Sequence, residues 1–432
     1  MRGASFAIYV HIPICAHKCY YCDFHSRPVE PTDRSRYLSA LEQEIRASVW
    51  RGEGAQTLFL GGGTPSELTG DEIEAIIRAL EGTFNFSSDS EWTIECNPGT
   101  VSPASCDRLL ELGFDRISLG VQSFHDHHLK RLGRIHSARD ALRSYEWFRG
   151  AGFENVSLDL MFGLPNQTLK EWRSDLERAL QLGPEHLSLY SLSVEPGTPF
   201  GHLVEIGALE ESSDDQVADM YEMAMDLTQA AGYGQYEISN YALPGYECIH
   251  NLSYWTNSPY LGFGISAASY ADGTRWTNTY DWAAYFAGAN RGDVPRANLE
   301  HLEWNLAMGE EIMLGLRMGQ GISTSRLSRK YRCDFEGLFR LSINFLTEQN
   351  LLARDGDRLR LTRRGKLLAN EVCNEFLKSA RSIAPDPDAA SVADPGHGSE
   401  KTGLAPAPAP KAGRSSLTGR DPDDHPMEAG RP

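Results

Sequence analysis

The sequence predicts an α/β protein: a parallel sheet built from β/α units, then a small α+β module, then a tail without a packed core. Three observations carry this. Short apolar, β-branched runs alternate with amphipathic helical patterns six times between residues 6 and 193. After residue 298, helical patterns give way to two strand-like runs about an Asp-Gly turn. From residue 381 onward the chain is rich in Pro, Ala, Asp and Gly and has no aromatic residue, so it cannot bury enough surface to offset the entropy of ordering.

The six predicted strands are FAIYVHI (6–12), TLFL (57–60), WTIEC (92–96), RISLG (116–120), VSLDLM (156–161) and HLSLYSLS (186–193). Helical patterns fall between them. Ile73, Ile76, Ile77 and Leu80 recur at i, i+3, i+4, i+7, and Ser102-Pro103 reads as an N-cap followed by proline at the first helical position. Six such units imply parallel strands with right-handed crossovers. Periodicity alone admits either a doubly wound sheet or a barrel. This core is assigned to residues 1–232. Residues 233–297, rich in Gly, Tyr, Asn and Trp, read as loops and short strands packed on it. Residues 298–380 read as a winged-helix-like module, with a long helix over 304–318, two shorter helical patterns, and a hairpin over 351–362. Residues 381–432 form the tail.

A net charge of −18 argues against non-specific nucleic-acid binding, because phosphate needs a basic counter-surface. The hairpin carries Arg354, Arg358, Arg360, Arg363 and Arg364, which read as a solvated face or a protein-docking surface. No run of eighteen apolar residues exists to span a membrane, and the N-terminal apolar run lacks a small-residue cleavage site, so it reads as a strand. Five of the eight cysteines are scattered and read as small buried residues, which points to a reducing, cytoplasmic setting.

The chemistry concentrates just after the predicted strands. Cys15, Cys19 and Cys22 follow the first, and Gly61-Gly62-Gly63-Thr64-Pro65 follows the second. Glu95 and Asn97 close the third, Gln122 and Ser123 follow the fourth, Asp159 lies in the fifth, and Ser193 ends the sixth. These are the C-terminal strand ends, where parallel barrels place their active sites. Three thiolates fit three corners of a [4Fe–4S] cluster and leave the fourth iron open. They also fit a catalytic zinc with one open place, or with His17 or His25 as a fourth ligand. The glycines let backbone approach a bound molecule, and Glu95, Gln122, Arg134 and Asp159 are placed to reach a charged or hydroxylated one. Glu95 and Asp159 are carboxylates inside apolar strands, where charge needs a partner.

The CAHKCYYC stretch (15–22) resembles the CxxxCxxC motif of the radical S-adenosylmethionine (SAM) superfamily. Together with YVHIPIC, LGGGTPS, IECNPGT, ISLGVQSF, KRLGRIHS, SLDLMFGLPNQT and LSLYSLSVEPGTPF, it is similar to the branch containing anaerobic coproporphyrinogen III oxidase and the haem chaperone HemW. The resemblance covers about residues 6–375. It implies a partial (β/α)6 TIM-like barrel, a [4Fe–4S] cluster on Cys15, Cys19 and Cys22, and SAM chelating the open iron. Tyr9, Tyr21, Gly62, Gly63, Thr64, Glu95, Gln122, Arg134, Asp159, Ser193 and Ala268 occupy the places where the family contacts SAM. A reduced cluster would give one electron to SAM and release a 5′-deoxyadenosyl radical.

Two departures point to the chaperone side of the branch. The oxidases have a fourth cysteine two residues after the third, where this chain has Phe24, and an added N-terminal segment for which a loop starting at residue 15 leaves no room. HNLSYW (250–255) is similar to the HNxxYW haem-associated motif, with His250 the axial-ligand candidate and Tyr254 and Trp255 able to stack on the macrocycle. Ala268 stands where these chaperones usually have a histidine. The implied function is cytoplasmic haem trafficking: haem as cargo, delivered to apoproteins, respiratory enzymes at the membrane among them, with the C-terminal module as the partner surface. The rival readings are oxygen-independent coproporphyrinogen III oxidase and a radical SAM RNA-modifying enzyme.

Overall fold

A computed structural model describes residues 5–383. The expectation for the tail therefore lies outside the described residues, apart from 381–383, where the helix Ala369–Ser382 ends.

Six parallel strands form the centre: β1 (Ser5–Ile12), β2 (Gly54–Gly62), β3 (Asn85–Cys96), β4 (Arg116–Gln122), β5 (Val156–Phe162) and β6 (His186–Ser191). They neighbour one another in chain order. That order decides between the two architectures the periodicity allowed. A doubly wound sheet reverses its strand order at a switch point, whereas a monotonic order with right-handed crossovers puts every helix on one face. The fold is a partial (β/α)6 barrel: β1 and β6 do not pair, and each edge is extended instead. On β6 lie β8 (Asn240–Ala242) and β7 (Gly234–Gln235), both antiparallel to their neighbours. On β1 lies β9 (Tyr260–Phe263), parallel, followed by the antiparallel β10 (Ala268–Ala271), β11 (Thr274–Asn278) and β12 (Arg296–His301).

Four barrel helices begin with capping boxes: Thr69 with Glu72, Ser102 with Ser105, Ser137 with Asp140, and Thr168 with Glu171. Each N-cap contributes about 1 kcal/mol and fixes where a strand-to-helix loop ends. Ile73, Ile76, Ile77 and Leu80 are all buried against the sheet, as their spacing predicts.

The 233–297 segment is more ordered than its composition suggests. Besides edge strands it holds the helices Ile249–Trp255 and Trp282–Arg291. The first has only seven residues, too few for a periodic signal, and its start is fixed by tertiary contact. The Glu91 carboxylate of β3 accepts the backbone N–H groups of Ile249 (3.2 Å) and His250 (3.0 Å), where the helix dipole favours negative charge.

The C-terminal module has its own core, in which Met308, Ile312, Phe335, Phe339 and Phe376 are fully buried. Helices Trp304–Arg317, Thr324–Tyr331 and Phe335–Glu348 precede a hairpin of β14 (Leu352–Asp355) and β15 (Arg358–Leu361). The two-residue β13 (Ile322–Ser323) completes this sheet against β15. Gly356, at φ +60, supplies the left-handed turn position. Three of the five hairpin arginines are engaged by acids: Arg354 is bidentate to Glu336, Arg360 lies 3.7 Å from Asp355, and Arg363 binds Asp226 and Glu222 (3.1 Å) on the helix Asp214–Ala230. Arg358 and Arg364 donate to the Gln320 and Gln349 carbonyls, so the five do not form a free basic stripe.

Candidate functional site

The cysteine loop is pinned at both ends and in the middle. Ile14 and Arg27 form a parallel bridge, and Arg27 N–H donates to the Pro13 carbonyl (3.0 Å). Tyr20 N–H donates to Leu132 O (3.0 Å), and Tyr20 O accepts from Phe200 N (2.9 Å). The loop rests on the end of β2. Gly63 N–H donates to Ile12 O (2.7 Å) and Thr64 N–H to Ile14 O (2.8 Å). A methyl group on Gly63 would meet the Ile14 carbonyl at 2.6 Å, the Ile12 carbonyl at 2.7 Å and Cys15 Sγ at 3.0 Å. Gly63 is therefore needed for the loop to reach the strand end at all. Gly62, at φ +108, leaves room for the His11 ring and donates its N–H to Glu95 Oε2 (3.0 Å).

All eight cysteines are free thiols. Burial pushes the Cys15 and Cys22 thiols up. Two donors approach the sulfurs: Thr64 Oγ1 lies 3.5 Å from Cys15 Sγ, and Arg134 Nη1 lies 3.6 Å from Cys19 Sγ. Three free thiols with hydroxyl and guanidinium donors around them are a donor set that fits a [4Fe–4S] cluster, whose sulfurs take such hydrogen bonds. Arg134 is itself fixed by the Gly120 carbonyl (2.8 Å) and by Asn97.

Below the loop a cavity of about 380 Å³ runs down the barrel. Its upper wall holds Tyr21, Gly62, Gly63, Thr64, Glu95, Gln122 and Arg134, and Asp159 lies deeper. Gln122 reaches it through a register shift in β4 and a left-handed backbone (φ 66). Gly120 makes that bend possible, since a Cβ there would meet Gln122 Nε2 at 2.9 Å and Asn97 Oδ1 at 3.0 Å. Burial, with the Asp159 charge adding, lifts the Glu95 carboxyl to about 7 against the pull of the Gly62 N–H. Burial also raises Asp159, opposed by the Ser118 hydroxyl at 2.7 Å and that of Ser157 at 3.0 Å.

The cavity floor lies at the N-terminal strand ends. Arg116 and His186, the first residues of β4 and β6, form it with Cys248 and Asn251. Arg116 donates to Asn155 Oδ1 (2.9 Å) and Tyr246 O (3.0 Å). His186 bonds Ser157 Oγ (2.8 Å) and Tyr236 Oη (2.8 Å). The reading from sequence did not single out these residues. Arg116 and His186 carry the same signal that marked Asp159, an ionisable side chain within an apolar strand.

His250 sits on the helix Ile249–Trp255, which plugs this end of the barrel (the plug helix), and is 1% exposed. Its Nδ1 bonds Thr57 Oγ1 (2.7 Å), its Nε2 bonds Tyr254 Oη (2.9 Å), and its ring stacks on Phe59 at 4.8 Å. Both ring nitrogens are committed, and burial lowers its pKa to about 3. Tyr9 and Ala268 line a separate cavity of about 420 Å³ beside β1, with Phe24, His25, Tyr254 and Tyr280. Ser193 lines neither cavity, and its hydroxyl donates to Glu195 (2.6 Å). The structure thus gathers Cys15, Cys19, Cys22, Tyr21, Gly62, Gly63, Thr64, Glu95, Gln122, Arg134 and Asp159 about one space.

Comparison with known proteins agrees with this geometry. The radical SAM superfamily profile matches residues 9–179, and the HemN C-terminal domain profile matches residues 306–368. The heme chaperone HemW of Bacillus subtilis is 41% identical over 372 residues, covering 85% of this chain and 98% of the relative. That of Lactococcus lactis is 38% identical over 369 residues, covering 85% and 96%. The crystal structure of coproporphyrinogen III oxidase (HemN) from Escherichia coli, a radical SAM enzyme, superposes with a TM-score of 0.77 at 24% identity, over 87% of this chain and 90% of that one, and so shares the fold. On sequence identity along its length, this chain belongs to the HemW heme chaperone family of the radical SAM superfamily.

Proposed function

We propose that this protein is a haem chaperone on a radical SAM scaffold. In this reading Cys15, Cys19 and Cys22 hold a [4Fe–4S] cluster, SAM lies beneath it, and haem is the cargo delivered to apoproteins. The observation that carries it is the three-thiol loop over a mixed-charge cavity, in a chain related to HemW chaperones along most of its length. The cluster, when bound, would supply an open iron and one-electron reducing power. The chain's own residues would do the rest. Gly62 and Gly63 bring backbone against the ligand, Thr64 and Arg134 steady the sulfurs, and Glu95 and Asp159 provide acceptors for its amino and hydroxyl groups. Tyr21 and Gln122 complete the SAM assignment within this cavity, whereas Tyr9, Ser193 and Ala268, assigned to SAM by family resemblance, lie outside it.

His250 is the proposed axial ligand of haem. For it to serve, the Tyr254 hydroxyl must leave Nε2 or Thr57 must leave Nδ1, so haem binding would be coupled to loosening of the plug helix. Delivery is assigned to the cytoplasm, with respiratory enzymes at the membrane among the recipients. Among the described residues no helix is long and apolar enough to cross a membrane.

Anaerobic reconstitution followed by haem titration tests the proposal. One haem per chain and transfer to an apoprotein are expected. Enzymatic-rate conversion of coproporphyrinogen III to protoporphyrinogen with SAM and a reductant would replace the chaperone reading by the oxidase one. Absence of stoichiometric haem binding would end it.

A further inference from the structure

We infer that His127, His128 and Glu171 form a second metal site, selective for a borderline divalent ion such as zinc, on the outer layer of the barrel. His127 and His128 lie in the short helix Asp126–Leu132, and Glu171 lies in the first turn of Leu169–Leu182. The ligand atoms all lie within 4.8 Å of one another. His127 Nε2 is 3.1 Å from Glu171 Oε1, and His128 Nε2 is 3.5 Å from Glu171 Oε2. Zinc holds nitrogen and carboxylate ligands at about 2.0–2.1 Å in a tetrahedron, so neighbouring ligand atoms lie about 3.4 Å apart. Each imidazole thus stands near that separation from one oxygen of the carboxylate, and the three ligand atoms would draw in from within 4.8 Å to close on an ion. Two imidazoles and one carboxylate with an open fourth place match a set zinc commonly takes.

His128 gives the independent observation. Its ring is 1% exposed, yet neither Nδ1 nor Nε2 makes a hydrogen bond. A buried imidazole with neither nitrogen hydrogen-bonded is costly, and an ion bound at Nε2, which faces Glu171 Oε2 at 3.5 Å, would relieve half of that cost. His125 stands close by, its Nε2 3.3 Å from the Glu171 carbonyl.

The site braces a segment that matters. The helix carrying His127 ends at Leu132, whose carbonyl holds Tyr20 in the cysteine loop, and two residues later Arg134 reaches Cys19. A bound ion would tie the start of this support to the neighbouring helix.

The test is equilibrium dialysis of the full chain against zinc, after anaerobic cluster reconstitution has occupied the three cysteines. One zinc per chain beyond the cluster metal is expected, with a melting temperature that rises with zinc. His127→Ala, which alters a half-exposed side chain, should weaken zinc binding at least tenfold and remove the thermal response without loss of cluster iron. His202→Ala, an exposed histidine elsewhere, should change neither. No additional zinc in the parent protein, or zinc retained equally by His127→Ala, would overturn the site.

Discussion

Replacing Gly63 by alanine tests whether the glycine turn is the seat of the cysteine loop. The added methyl would sit 2.6 Å from the Ile14 carbonyl and 2.7 Å from the Ile12 carbonyl, where ordinary contact begins near 3.4 Å. Both obstacles are backbone atoms, so no side chain can swing aside. The loop must retreat by about 0.8 Å, the shortfall at Ile14. That stretches the bonds Gly63 N–H to Ile12 O and Thr64 N–H to Ile14 O, now 2.7 and 2.8 Å. Overpacking costs about 1–3 kcal/mol and each of the two weakened bonds about 1 kcal/mol, so a loss of about 3–5 kcal/mol is expected. Because the displaced atoms carry Cys15, cluster retention should fall more than stability does. Gly150→Ala is the control: it lies in the exposed part of the helix Ala138–Ala151 with nothing within 4 Å of the added carbon, and should be neutral or stabilising by up to about 1 kcal/mol. The assay is iron per chain and cluster absorption after anaerobic reconstitution, with thermal unfolding in parallel. A Gly63→Ala protein with a full cluster and the parental melting temperature would refute the reasoning.

Glu95→Gln should flatten the pH dependence of unfolding of the unliganded protein. The Glu95 carboxyl stands at about 7 when folded, above its unfolded value, so its protonated form supports the fold and that support fades as pH rises toward and through 7. The variant should gain about 1–3 kcal/mol over the parent at pH 8 and little at pH 4; an equal difference at both values would contradict the burial account. Tyr254→Phe removes the hydroxyl that competes for His250 Nε2. If that nitrogen ligates haem, affinity in a haem titration should rise about fivefold, the weight of one neutral hydrogen bond, and unchanged affinity would take His250 out of the haem site. Arg134→Gln removes the cation 3.6 Å from Cys19 Sγ, so a reconstituted cluster should be harder to reduce and quicker to lose iron. An unmoved potential would show that the guanidinium serves only Gly120 and Asn97.

The residues that sequence reading brought together are those at C-terminal strand ends, and the reason is geometric. Parallel strands in chain order deliver all such ends to one rim, so residues placed just after successive strands become neighbours in space. Cys15, Gly63, Glu95 and Gln122 were legible on that basis. Edge pairing was not. The strands β7 and β10 to β12 pair through backbone groups whose partners no periodicity names, and the plug helix is too short to show a period. For His250 the motif does not show that Thr57 and Glu91, from two distant strands, close around it together with Tyr254 of its own helix.

The cavity's charges fit an occupant of mixed charge better than a neutral one. Arg134 stands near the rim and Arg116 at the floor, with Glu95 and Asp159 between. Both carboxyls are raised by burial, Glu95 to about 7, so the unliganded cavity pulls a proton onto Glu95 near neutral pH. A cationic amino or sulfonium group brought between them would reverse this, returning Glu95 to its ionised form and releasing its proton to solvent as it binds. The Arg134 guanidinium, fixed by Asn97 and the Gly120 carbonyl, would meet a carboxylate at the opposite end of the same molecule. A neutral porphyrinogen core offers no such exchange. The barrel cavity therefore suits a compact zwitterion beneath the thiols.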